Sequence, residues 1–327
     1  EGGFHVSFGA SSDCHRRVFR VIPLMKKRLP PGLTALGIDV GGVCVATVEF
    51  RGRRAALTRL DYQPWNGVEP EKLLIRLAGE LGLKNTRCTT LLDTSDYSLL
   101  LTEAPEAPPE ELRAALRWRI KDLIDFHIND ATLDVFDVPG ERVPGRPRSL
   151  YAVAARSSAI QKRVDLMDLS GIRLDVIDIP EMAQRNLAAL LPQDAKGVAF
   201  LTFDAGRGLL TISRQGELYF SRVIEIGIDR LTGGGDRTGW YDRIVLEVQR
   251  SLDYYESHFR QPQVAALALG PSQQAMPEFV DYLRANLNVA VQPVDLGEYL
   301  DGQVPIELQA RCLTTIGAAL RQETAVL

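Results

Sequence analysis

With 38 Lys and Arg against 42 Asp and Glu, the 327-residue chain carries a net charge of -4, which gives no electrostatic case for nucleic acid or an anionic membrane surface as its main partner. Its 45% hydrophobic residues are ample for a buried core, and its length points to two domains or two similar halves. No run approaches the roughly 18 apolar residues of a membrane span, and no G-x-S-x-G, HExxH or P-loop lysine motif occurs, so the common hydrolase and P-loop chemistries lack their residues.

Residues 1–32 hold His15-Arg16-Arg17, Arg20 and Met25-Lys26-Lys27-Arg28 and read as a basic, flexible extension. A chain start at Met25, or an arm that touches lipid headgroups, would each produce it. From Leu33 the sequence alternates strand and turn as far as Leu60. An apolar strand breaks on Asp39-Val40-Gly41-Gly42, and a second runs from Val43 to Phe50, which predicts a β-hairpin whose tight turn carries a carboxylate. Leu73, Leu74, Leu77 and Leu81 at helical spacing predict a helix over 70–82. Short strands follow at Thr89–Leu92 and Tyr97–Thr102.

Ala107-Pro108-Pro109-Glu110-Glu111 is a helix start, with proline in the first turn and acids at the positive end of the dipole. The helix is expected to continue through Leu112, Leu116, Ile120 and Leu123, which leaves Trp118 off the apolar stripe. Strands at 132–138 and 151–155, a helix at 157–170 and a strand at 174–179 make a small α/β unit. The opening theme then returns: strands at 198–203, 209–213 and 217–226, with Asp204-Ala205-Gly206 at the first turn. Ile244, Val248, Leu252, Tyr255 and Phe259 mark a long amphipathic helix, followed by a strand at 264–269 ending on Gly270-Pro271 and a helix at 276–287.

The two Asp-x-Gly corners are the residues most suited to chemistry. Glycine lets backbone N–H groups approach a phosphate, and a carboxylate beside them can orient a metal-bound water; the plain alternative is an aspartate that satisfies its own turn. Gly233-Gly234-Gly235 reads as a flexible loop more than a phosphate nest, and Asp236 as a cap. His127 and His258 fall at helix ends without a nucleophile nearby. Cys14, Cys44, Cys88 and Cys312 have no metal-ligand spacing and are expected to be reduced thiols.

Duplicated β-β-β-α-β-α halves with Asp-x-Gly hairpins resemble the actin, Hsp70 and sugar kinase superfamily. More closely, Leu36-Gly37-Ile38-Asp39-Val40-Gly41, the segment 117–131 at and beyond the end of that helix, Phe203-Asp204-Ala205-Gly206 and Glu247–Tyr255 are similar to the PilM/MshI family of type IV pilus proteins and to FtsA-type relatives. The resemblance implies an α/β actin-like (ribonuclease H-like) fold of two lobes: lobe I at 33–105, an insert subdomain at 106–180, and lobe II at 181–327, whose C-terminal helix can return to lobe I. It implies nucleotide contacts at Asp39, Gly41, Gly42, Asp204, Gly206, Arg207 and Gly270. ATP would be the cofactor, with Mg held through water by Asp39 or Asp204 and no direct protein ligand.

Several positions depart from the pattern. Gly42, Val43, Cys44, Val45 and Ala46 replace hydroxyl residues and a lysine in the first loop. Arg207-Gly208 replaces small hydroxyl residues in the second, and Pro271 removes a backbone donor. The family reading is therefore a weak ATPase or a pseudo-ATPase. It is a cytoplasmic scaffold peripheral to the inner membrane, in an MSHA-type pilus platform. It reaches the membrane only through the cytosolic N-terminal peptide of a bitopic, PilN-like protein; no nucleic acid is involved, and self-assembly is left open. Trp118, Arg117 and Arg119 are the candidate partner residues. An actin-like ATPase or small-molecule kinase, and the cytoplasmic part of a GspL-like secretion protein, are the alternatives; the second would continue into a transmembrane helix, which this sequence does not contain.

Overall fold

Apolar residues on both faces of the first meander fold it between two helices. In the computed structural model, which describes residues 32–52, 54–108, 111–140, 148–274 and 276–322, β1 (Leu33–Ile38), β2 (Gly42–Arg51) and β3 (Arg54–Pro64) pair antiparallel. β4 (Cys88–Leu91) and β8 (Leu174–Asp178) extend the sheet in parallel, in the order β3-β2-β1-β4-β8. Leu36, Val43 and Val45 pack with Leu73, Leu74 and Leu77 of α1 (Pro70–Glu80). Ala35, Cys44 and Ala46 turn the other way, toward α8 (Ile306–Ala319). Period-2 alternation thus feeds two cores.

The second half repeats this plan. β9 (Val198–Phe203), β10 (Gly208–Arg214) and β11 (Glu217–Ile224) form the meander, and β12 (Ala266–Leu269) and β13 (Val291–Pro293) add in parallel, in the order β11-β10-β9-β12-β13. Strand for strand this is the order of lobe I. α6 (Thr238–Phe259) and α7 (Pro277–Asn286) cover its outer face through Ile244, Val248, Tyr255, Phe279 and Leu283.

Between the sheets lie two helices. α4 (Pro180–Ala188) follows the last strand of lobe I yet packs on β9, β10 and β11, while α8 follows the last strand of lobe II and packs on β1–β4. Each half therefore lends its closing helix to the other. The two helices cross where a Cβ on Gly317 would come within 2.3 Å of the Ala183 carbonyl, so only glycine allows the approach. One apolar cluster runs from Ala35 and Val48 through Ala183, Leu187, Ile316 and Leu313 to Val198 and Phe200, joining the lobes in one core.

The small unit is a three-stranded sheet in the order β5-β7-β6, from β5 (Tyr97–Glu103), β6 (Ala131–Asp137) and β7 (Ser149–Arg156), with α2 (Leu112–Ile120) on one face and α3 (Ser157–Leu169) packed beside it. The expected boundaries at 105/106 and 180/181 do not coincide with the sheets. β5 precedes the first yet pairs with β7, and β8 lies inside the insert span yet pairs with β4.

The helix expected through Leu123 ends at Ile120, and only Leu116 and Ile120 of its stripe are buried. The chain turns there, so that Ile124, Phe126 and Ile128 return to the sheet in place of the exposed Leu123. The thiol expectation fails at one pair. Cys44 and Cys312 are joined by a disulfide across a Cα–Cα distance of 5.8 Å, because the return of α8 cancels a separation of 268 residues. Cys88 stays free, and burial pushes its thiol up to about 11; Cys14 and the basic extension to residue 31 lie outside the described residues.

Candidate functional site

The two acidic corners have the same local construction. Asp39 Oδ1 accepts from the amides of Gly41 at 2.6 Å and Gly42 at 2.8 Å, while the Asp39 amide donates to the Gly42 carbonyl. Asp204 Oδ1 accepts from Gly206 at 2.8 Å and Arg207 at 2.7 Å, while the Asp204 amide donates to the Arg207 carbonyl. In each case the carboxylate holds the amides that a phosphate would need.

Opposite sides of α8 meet the strand ends that carry the corners. A Cβ on Gly37, two residues before Asp39, would meet Thr315 Oγ1 at 2.0 Å. Leu313, half a turn away, stands 3.1 Å from the same test position on Gly270, whose nearest atom at 2.7 Å is Thr202 Cγ2, two residues before Asp204. Arg311 stacks on Tyr62 at 4.4 Å and donates to Gln273 Oε1 at 3.3 Å, linking lobe I to the loop after β12. Arg207 reaches Thr94 Oγ1 of lobe I at 3.5 Å and pairs with Glu225 at 3.3 Å.

These contacts tie the strands that carry the corners to the opposite half of the chain, and the donors of the predicted nucleotide residues are already engaged. The Tyr62 hydroxyl lies 2.8 Å from a Cβ position on Gly41 and 2.9 Å from one on Gly42, covering the face of the glycines. Gly42 is glycine because a side chain would strike the Gln63 carbonyl at 2.3 Å, a requirement of strand pairing. The Gly270 amide donates to the Leu201 carbonyl at 2.9 Å. Gly206 alone faces open space. As placed here these residues offer Mg-ATP few free donors: the corner amides are capped by their own carboxylates and Arg207 is paired with Glu225. Asp236 accepts from the Thr238 amide at 2.9 Å, which makes it a turn residue just before α6.

A second concavity, of about 330 Å³, opens between β5 and β11. Among the described residues both are edge strands, paired only with β7 and β10 respectively, so each presents an unpaired row of backbone donors and acceptors. Tyr97, Leu99 and Leu101 line one wall, Phe220 and Val223 the other. At the floor the Tyr97 hydroxyl donates to Glu181 Oε2 at 2.5 Å. Burial raises the Glu181 carboxyl above its ordinary value, despite the phenol and its place in the first turn of α4. Tyr151 O–H donates to the Tyr219 carbonyl at 3.1 Å, pinning the walls together.

The predicted partner residues lie elsewhere. Leu100 faces the α2 side of the small sheet whereas Leu99 and Leu101 pack on the groove side, so α2 covers the far face. Trp118 is 75% exposed there, with the Lys121 ammonium 5.5 Å from its ring. Arg117 is a tether, donating to the carbonyls of Ala131 at 3.0 Å and Ile128 at 2.5 Å. Arg119 is held by the Glu103 carbonyl at 3.1 Å and its carboxylate at 3.3 Å. The groove escaped sequence reasoning because its walls come from segments more than a hundred residues apart; the unbroken Leu99-Leu100-Leu101 run, apolar on both faces of an edge strand, was the available signal.

Residues 106–234, from α2 through the second corner to the loop after α5 (Ile228–Thr232), match the family model of type IV pilus assembly protein PilM. A solved PilM–PilN type IV pilus biogenesis complex shares the fold with a TM-score of 0.68 and 20% identity, over 88% of this chain and 98% of that one. Residues 106–234 thus resemble PilM, and the chain has the actin-like fold. The cytoplasmic domain of EpsL from the Vibrio cholerae type II secretion system aligns at a TM-score of 0.48 and 12% identity, over 86% of this chain and 94% of that one. A Bacteroides thetaiotaomicron protein with an actin-like ATPase fold aligns at 0.48 and 8%, over 90% and 99%. A search of curated proteins finds no match. The matched span contains β6, β7, Glu181 and β11, and with them the groove residues Tyr151, Glu181, Phe220, Ser221 and Val223, but not β5, which supplies the other wall. It also contains the second corner and not the first. Among the described residues no helix is long and apolar enough to cross a membrane.

Proposed function

We propose that this PilM-like chain is a cytoplasmic scaffold of a type IV pilus assembly platform of the MSHA type, and that it binds the cytosolic N-terminal peptide of a PilN-like inner-membrane protein without nucleotide chemistry. The observation that carries this reading is the capping of both corners by their own carboxylates, with every implied phosphate donor engaged. The groove between β5 and β11 is the docking place that best suits an extended peptide: two unpaired strand edges offer main-chain hydrogen bonds, and Leu99, Leu101, Phe220 and Val223 offer apolar contacts. That a related fold was solved with PilN bound supports the choice of partner. Trp118 remains available for a second contact on the far face.

Calorimetric titration with the N-terminal cytosolic peptide of a PilN-like protein from the same organism tests the proposal. Saturable binding is expected, weakened at least about tenfold by Val223→Asp, which puts a charge on an already exposed wall position. No heat from folded protein, or equal binding by the variant, would overturn the assignment.

A further inference from the structure

The groove between β5 and β11 carries one charged side chain in its lining, the Glu181 carboxyl at the floor. Glu181 is 3% exposed, and its side-chain partner is the neutral Tyr97 hydroxyl, which donates to Oε2 at 2.5 Å. Among the described residues no Lys, Arg or His pairs with it. The charge that acts on it is that of a second carboxylate, Asp178, which is itself neutralised by Arg321 at 2.9 Å. Asp93, in the turn after β4, acts on Tyr97 and also faces Arg163. Two guanidinium groups reach the lining from outside, and each has its own acid. Arg207, at Thr94 Oγ1, pairs with Glu225 at 3.3 Å, and Arg222, over the Phe220 ring, pairs with Glu247 at 2.7 Å. With these pairs set aside, Glu181 is left without a cation, and burial raises its carboxyl above the ordinary value.

Tyr97, Leu99 and Leu101 share the groove face of β5, and a strand laid along that edge presents its own side chains with the same period of two. It therefore meets one acidic place, at Tyr97 and Glu181, followed by two apolar ones. We infer, on the reading of this groove as the peptide's docking place, that its floor is a specificity subsite for one Lys or Arg side chain of the docked peptide, held by the Glu181 carboxylate between the rings of Tyr97 and Tyr151. The recognition rule that results is a basic residue with apolar residues two and four positions away. A positive charge beside the carboxyl favours its ionised form and offsets the cost of burial, and the charge-assisted hydrogen bond so formed is stronger than the neutral one to Tyr97. Aromatic faces next to the cation add to the attraction. An acidic residue at the same place in a competing peptide would meet a like charge, which gives the site its discrimination.

The test is a double-mutant cycle by calorimetry on the full chain. The ligand is the N-terminally acetylated cytosolic peptide of the PilN-like protein, with each Lys replaced in turn by norleucine and each Arg by citrulline. One replacement is expected to weaken binding to the wild type at least about tenfold. The same replacement is expected to change Kd by less than about twofold in Glu181→Gln, which keeps an acceptor for the Tyr97 hydroxyl. Glu181→Met, of similar length and without a carboxyl, takes its place if Glu181→Gln fails to fold. A scan in which no replacement reaches tenfold, or equal losses in wild type and variant, would overturn the inference. Val223→Asp separates this failure from that of the groove itself. Binding that Val223→Asp weakens but that shows no coupling to Glu181 retains the groove and removes the subsite; binding that Val223→Asp leaves unchanged removes both.

Discussion

The two meanders carry the same corner on the same strand order, yet each is fastened to its helix by different chemistry. In lobe II the buried Gln184 of α4 donates to the Phe200 carbonyl at 2.6 Å, the Leu209 carbonyl at 3.1 Å and Thr211 Oγ1 at 3.0 Å, and accepts from Thr202 Oγ1 at 2.8 Å. In lobe I the matching junction between β2 and α8 is the Cys44–Cys312 disulfide. A side-chain amide that bridges two strands specifies register as well as position, whereas a disulfide fixes position and removes freedom from the unfolded chain. The difference teaches that the hairpin needs a rigid attachment to its helix more than it needs a particular bond.

The comparison can be broken most forcefully at the covalent side. Cys44→Ser, or reduction of the wild type, is expected to cost about 4 kcal/mol, read as a fall in the denaturation midpoint that reductant produces in the wild type and not in the variant. Gln184→Leu strands Thr202, Thr211 and two strand carbonyls without their partner and is expected to cost about 3 kcal/mol, with or without reductant. If Gln184→Leu were neutral, the two attachments would not be equivalent.

Smaller effects sharpen the reading of the corners themselves. Asp39→Ala and Asp204→Ala each release two amides at an exposed turn, and each is expected to cost about 1 kcal/mol in chemical denaturation. Because the carboxylates serve the turns, Mg-ATP should shift the midpoint of neither variant nor of the wild type. A shift in the wild type that disappears in both variants would restore nucleotide binding. The smallest effect belongs to Glu181. Its carboxyl titrates above its ordinary value when folded, so the folded state holds the proton more tightly, and that contribution, complete below the unfolded value near 4.5, is lost as pH rises through the folded value. Glu181→Gln keeps an acceptor for the Tyr97 hydroxyl and is expected to gain about 2 °C in Tm over the wild type between pH 4.5 and pH 8; parallel Tm curves for the two proteins would contradict this.

Much of the architecture was legible because the meanders alternate cleanly and the outer helices carry one apolar stripe: Leu73, Leu74 and Leu77 in α1, Ile244 to Tyr255 in α6. Of the central helices, α8 was expected only through the family resemblance, as a C-terminal helix that can return to lobe I, and α4 was not expected at all. Every residue of α4 from Glu181 to Ala188 is buried, including Gln184, Arg185 and Asn186, so the helix has no polar face to set its period; α8 hides Gln309, Cys312, Thr315 and Gly317 in the same way. A helix enclosed on all sides loses the pattern by which sequence reveals helices. At the site, Asp-x-Gly correctly announced two tight turns, but glycine and aspartate look alike whether the amides serve a ligand or the aspartate itself. Tyr62 and Arg311, which cover and bridge the cleft, arrive from β3 and α8, and nothing in their local sequence points there.

The account is tested most directly by one titration performed twice: the PilN-like N-terminal peptide into the folded chain, with and without Mg-ATP. A scaffold with self-capped corners predicts saturable binding with the same Kd in both. Binding that requires Mg-ATP, or tightens with it by about tenfold or more, would contradict the claim that the cleft has passed from nucleotide site to structural joint.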